Sequence, residues 1–111
     1  MTLPNVGNAV IEQAKIVDYL LDAAHPDNGG KAAFFIGWGF SAAHWPAFAQ
    51  AIRDLVSRNE VVHRLQSPWG EKFVVDGTLD APRGTTPLVR TIWIVDAVHA
   101  APRLVTAYPT E

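Results

Sequence analysis

The apolar positions of the chain fall into two textures that change near Asn59. Ahead of it they recur at three- and four-residue spacing, and after it they alternate or run in short blocks between turn signals. The clearest helical stretch is Trp45, Phe48, Ala49, Ile52, Leu55 and Val56, which would share one face, with Pro46 in the first turn where its missing N–H is harmless. An earlier helix is expected from Gln13 to Ala24, with Val17, Leu20 and Leu21 as its apolar stripe. His25-Pro26 stops it, because proline disfavours helical geometry in the residue before it. Just upstream, Ala9 to Ile11 reads equally as a short strand or a helix start. Asp27-Asn28-Gly29-Gly30 is loop chemistry. A middle helix runs from Lys31 to Trp38, with Ala32, Phe35 and Ile36 toward the core, Phe34 and Phe35 anchoring it, and Gly39 as a left-handed stop. Ser41 is then the N-cap of the third helix.

Beyond Asn59 the pattern predicts strands. Val61 to Leu65 and Lys72 to Asp76 form a hairpin about the turn Ser67-Pro68-Trp69-Gly70. Gly77 to Pro87, with Pro82 and Gly84, reads as a long loop. Leu88 to Val95 and Arg103 to Tyr108 are two further strands, joined through His99 to Pro102. Helices followed by a meander give an α+β fold: about three N-terminal helices packed on one face of a mainly antiparallel sheet of about four strands, as a single domain over residues 1–111.

Composition supports a packed core. Apolar residues make up 49% and charged residues 18%, and there are four tryptophans. A domain of this size buries roughly two-thirds of the surface its unfolded chain exposes. The net charge of −2 gives no long-range pull toward nucleic acid or an acidic membrane, so any such binding has to come from a local patch. With no cysteine there is no disulfide framework, thiol chemistry or Cys-based zinc site. The apolar runs fall short of a membrane span, and MTLPNVGNAV lacks the features of a signal peptide. The expectation is a soluble, cytoplasmic, free-standing protein with no membrane partner.

Familiar site motifs are missing. A lysine after glycine at Gly30-Lys31 invites a phosphate-loop reading, but the earlier glycine, the Ser/Thr after the lysine and the preceding strand are all lacking. His25 and Asp27 are close, yet no histidine pair has metal-ligand spacing, and His44, His63 and His99 read as ordinary surface or hydrogen-bonded residues. Ser41, Ser57 and Ser67 lie in no nucleophile elbow, and no glycine fingerprint would hold a dinucleotide. The expectation is no cofactor and no metal.

What remains is a set of polar residues that the core does not demand: His25, Lys31, Arg90, Thr106 and Tyr108. Their types suit phosphodiester cleavage, in which histidine moves protons near neutral pH while lysine and arginine meet the developing phosphate charge. Strand parity groups Arg90 with Ile92 and Ile94, and Thr106 and Tyr108 with Leu104. Whether Arg90 joins the other two depends on register, which sequence does not supply.

The stretches LPNVGNAVIEQAKIVDYLLDAAHPDNGGKAAFF, RTIWIVD and PRLVTAYP resemble a small bacterial domain family. That family is similar, in its His-Pro…Gly-Lys-Ala segment and closing strands, to toxin ribonucleases of the barnase/EndoU/colicin/RelE-like fold. The resemblance implies a metal-independent endoribonuclease of toxin–antitoxin type, with RNA as substrate. His25 would be the general acid or base, Lys31 and Arg90 phosphate ligands, and Thr106 and Tyr108 would position or protonate the scissile group. A second reading stays open: a non-catalytic interaction module, antitoxin-like or accessory, that engages a protein partner through Trp38, Trp69 or Trp93, with Trp69 the best surface candidate. A third is a small-ligand binder with the Gly77–Pro87 loop over its pocket.

Overall fold

The computed structural model describes residues 1–27, 29–96 and 101–110. Among these, the N-terminal half is helical and the C-terminal half is a four-stranded sheet. Helix α1 (Gln13–Lys15) continues directly into a π-helical segment (Ile16–Leu20), followed by α2 (Gly29–Gly37) and α3 (Trp45–Arg58), with 3₁₀ turns at Val6–Asn8 and Ala42–His44. The strands β1 (Val61–Ser67), β2 (Gly70–Thr78), β3 (Leu88–Val95) and β4 (Arg103–Pro109) form an antiparallel meander in chain order.

The core lies between the helices and one sheet face. On α3 the expected stripe is buried at Phe48, Ala49, Ile52, Leu55 and Val56, with Ala51 added, whereas Trp45 at its start is only half-buried. The stripe belongs to one buried cluster with Phe73 and Val75 of β2, Val89 and Trp93 of β3, Leu104 and Ala107 of β4, and Phe35 of α2. Each large apolar side chain buried this way contributes about 1.5–3 kcal/mol. One polar relay runs through the core: Trp93 Nε1 donates to Thr91 Oγ1 at 2.8 Å, and that hydroxyl donates to the Val75 carbonyl at 2.8 Å.

The chain ahead of α1 closes one edge of the sheet. Ala9 to Ile11, ambiguous in sequence, makes a single parallel bridge from Val10 to Arg103. The Val10 amide donates to Pro102 and its carbonyl accepts from Leu104. At the β1–β2 turn, Gly70 closes the hairpin with φ 136°, and a Cβ there would meet the Val95 carbonyl oxygen at 2.5 Å. Only glycine fits that position.

Several expectations need correction. The first helix ends at Leu20 rather than Ala24. The Leu21 amide reaches back five residues to Ile16, and Asp22 accepts the Ala24 amide, so a side-chain-stabilised turn replaces the last helical turn. The second helix begins earlier, at Gly29, and Gly39 does take a positive φ of 103°. Within α2, Ala32 and Phe35 are buried on the inward face, but Ile36 and Phe34 are exposed. Ser41 precedes a 3₁₀ turn, and its hydroxyl contacts the His44 ring instead of capping a backbone amide. β2 runs on to Thr78, and buried Leu79 still bonds to Pro87, so the following loop is shorter than expected. Leu104 faces the core opposite Trp93, away from Thr106 and Tyr108, because a bulge shifts the register between Thr106 and Leu104. Asn28 and His99 lie outside the described residues. Among the described residues, no helix is long and apolar enough to cross a membrane.

Candidate functional site

The sheet delivers a row of three polar side chains on the face turned away from the core. Asp76 pairs with Arg90, and Arg90 pairs with Tyr108, in the registers of β2, β3 and β4. Their neighbours along the strands, Val75, Thr91 and Ala107, are the buried ones, as strand alternation requires. Arg90 Nε donates to Asp76 Oδ1 at 2.8 Å, and Nη2 donates to Oδ2 at 2.9 Å. This two-point contact fixes the guanidinium plane. The Asp76 carboxylate holds Arg90 charged above its ordinary range, with partial burial opposing and the neighbouring Tyr108 hydroxyl adding to the effect.

The next row holds Val74, Ile92 and Thr106. Thr106 Oγ1 is buried without a protein hydrogen-bond partner. Such an orphaned hydroxyl costs roughly 1–3 kcal/mol, where valine would fill the same space without that penalty. A polar atom kept at that cost calls for a reason other than packing.

Lys31 arrives from α2. Its Nζ lies 5.1 Å from the centre of the Tyr108 ring, within reach of a cation–π contact. Lys31, Tyr108, Gly30, Phe34, Pro109 and Thr110 line an open cleft of about 560 Å³ between α2 and the end of β4. No residue of the Gly77–Pro87 loop proposed to cover a ligand lines this cleft.

His25 sits on the loop that enters α2. Its ring stands edge-on to Tyr19, 5.0 Å between centres, and its Nδ1 accepts the Asp27 amide at 3.1 Å. With Nδ1 accepting, the neutral ring carries its proton on Nε2. None of the contacts joining Lys31, Tyr108 and Arg90 involves His25. Of the five residues expected from sequence, the fold therefore joins Lys31, Tyr108 and Arg90, sets Thr106 on the same sheet face as the last two, and anchors His25 separately on Tyr19. Among the described residues, no three His, Asp or Glu side chains converge as a metal-ligand set.

The sequence matches the model of DUF6883, described as a domain of unknown function, over residues 2–111. The chain belongs to that family. No match was found among curated proteins. Among solved structures, this DUF6883 chain is similar to one titled "Contact-dependent growth inhibition toxin - immunity protein complex from Klebsiella pneumoniae 342". The likeness has a TM-score of 0.66 at 20% identity and covers 98% of this chain and 99% of that one. At that identity the fold is what the two have in common.

Two residues of the candidate site escape a reading of the sequence. Asp76 is visible only as the end of a strand, and its bond to Arg90 depends on the β2–β3 register. Phe34 looks like core beside Phe35, yet its ring is 56% exposed on the cleft wall. The available signal was helical spacing, since Phe34 lies three residues after Lys31 and shares its face.

Proposed function

We propose that this site cleaves RNA without a metal ion, in the manner of a toxin-type endoribonuclease. The observation that carries the reading is the Lys31–Tyr108–Arg90 cluster: two cations from different elements flank one phenol, and Lys31 and that phenol line the cleft while Arg90 stands beside Tyr108 on β3. A phosphodiester needs such cations as negative charge builds on its equatorial oxygens. Thr106 lies on the same sheet face one row in, with its hydroxyl buried and outside the cleft lining. The fold likeness to a chain of a toxin–immunity complex fits a toxin-related and an immunity-related role alike.

In this scheme the RNA 2′-oxygen bonds to phosphorus as the bond to the 5′-oxygen breaks, leaving a 2′,3′-cyclic phosphate. His25 takes the 2′-hydroxyl proton and Tyr108 protonates the departing 5′-oxygen. Because Nε2 already carries the ring proton, the accepting nitrogen is Nδ1, and substrate has to displace the Asp27 amide that now occupies it. Lys31 and Arg90 hold the phosphate, and Asp76 holds Arg90. The net charge of −2 makes this local cluster, rather than the whole-molecule field, responsible for affinity.

The test is wild type and His25→Ala incubated with total RNA in EDTA, both shown folded by circular dichroism. Cleavage by wild type alone, with cyclic-phosphate ends, supports the scheme. No cleavage by either protein removes it.

A second reading, a non-catalytic protein-interaction module, draws on the β1–β2 hairpin. Trp69 at its turn is 73% exposed and Leu65 on β1 is 59% exposed, whereas Trp93 is fully buried and Trp38 half-buried. An exposed tryptophan is a common anchor for a protein partner. Under this reading the protein binds its partner through Trp69 and leaves RNA intact.

A further inference from the structure

We infer that Phe34 is a stacking platform for an unpaired nucleobase, so that the cleft takes a single-stranded RNA segment with one base on Phe34 and its phosphate at Lys31. The inference rests on the reading of the site as RNA-directed and adds the structural class of the substrate. Phe34 is 56% exposed although the adjacent Phe35 already fills the core, so packing does not account for the ring. It shares the cleft wall with Lys31, three residues earlier and therefore on the same helix face. The Tyr108 ring across the cleft carries the Lys31 ammonium near its face, which leaves Phe34 the more open aromatic surface. Trp38, just past the end of α2, packs beside Phe34 with ring centres 5.9 Å apart and planes tilted by 40°.

The cleft floor also has room. A Cβ built at Gly30 meets nothing within 4 Å, so the protein backbone there faces open space. An aromatic face, a cation one turn away and an uncrowded helix start together match one nucleotide: base on the ring, phosphate on the ammonium. A base inside a duplex already has neighbours on both faces and cannot use the ring. Single-stranded RNA presents its bases to aromatic side chains in this way, and duplex RNA does not.

The experiment is fluorescence anisotropy with a labelled, uncleavable 2′-O-methyl oligonucleotide, presented single-stranded and annealed to its complement. Wild type should prefer the single strand. Phe34→Ala should bind it on the order of tenfold more weakly, as expected for loss of one stacked base. Phe34→Trp should restore binding, whereas Phe34→Leu, apolar but without an aromatic face, should not. Since Phe34 is largely exposed, all three variants should fold, and thermal melts check this. If Phe34→Ala binds like wild type while Lys31→Ala binds weakly, the stacking inference falls and the phosphate reading survives. Equal binding of single strand and duplex by wild type also overturns the inference. If wild type binds neither form, both readings fall, and the exposed ring is then better explained by a protein partner.

Discussion

Arg90 and Tyr108 stand directly opposite each other across β3 and β4, and Asp76 stands opposite Arg90 on its other side. A register slip of one residue in either pair would send Arg90 or its partner to the core face and dissolve the cluster. The β4 bulge matters for the same reason. By shifting the register between Thr106 and Leu104, it lets Leu104 reach the core at Trp93 while Thr106 and Tyr108 stay on the site face.

Asp76 is therefore expected to act through Arg90. The carboxylate and guanidinium are 23% and 30% exposed and bonded at two points, so the pair contributes about 1 kcal/mol to stability. Asp76→Asn should lower stability by about that amount, read from urea unfolding. It should also slow RNA cleavage while leaving oligonucleotide binding largely intact, because the cation remains but loses its fixed orientation. Unchanged cleavage in a folded Asp76→Ala protein would show that Arg90 needs no positioning partner.

Behind that row, Thr91 carries a polar relay through the core, accepting from Trp93 and donating to Val75. Thr91→Val conserves shape but leaves the buried indole N–H and the Val75 carbonyl without this partner. The expected loss is about 2 kcal/mol, with Thr91→Ser retaining most of the stability. Urea titrations followed by tryptophan fluorescence measure both. A loss below about 0.5 kcal/mol for Thr91→Val would mean that the core relaxes to supply other partners.

Parts of this architecture are legible because a single periodicity dictates them. The α3 stripe from Phe48 to Val56 and the alternation of Val89, Thr91 and Trp93 against Arg90, Ile92 and Ile94 follow from 3.6- and two-residue repeats. Leu104 is misread because a bulge breaks the repeat on which parity depends. The end of the first helix is misread because the Asp22 side chain competes for backbone amides, a local contest that apolar spacing does not register. Phe34 and Phe35 differ in burial although they are chemically identical neighbours, since only the position of α2 against its surroundings decides which ring turns inward. At the site, residue types pointed to Lys31, Arg90 and Tyr108, but their meeting depends on strand register and on how α2 approaches β4. Both are tertiary facts.

Tyr108 allows the positioning and proton-transfer roles to be separated. Its ring lies beneath the Lys31 ammonium, while its hydroxyl neighbours Arg90. Tyr108→Phe keeps the ring and removes the proton, so oligonucleotide binding should hold within about threefold while cleavage falls roughly 10²- to 10⁴-fold, the usual range for losing a general acid. Tyr108→Ala should lose both, because Lys31 then has no ring to rest against. The decisive comparison uses RNA whose scissile 5′-oxygen is replaced by sulfur. A thiolate leaves without prior protonation, since a thiol is far more acidic than an alcohol. If Tyr108 protonates the leaving group, Tyr108→Phe should cleave the sulfur substrate at close to the wild-type rate while remaining slow on ordinary RNA. Equal impairment on both substrates would instead assign the hydroxyl to holding Arg90 or the phosphate, and the acid would have to be sought elsewhere, with His25 the first residue to examine.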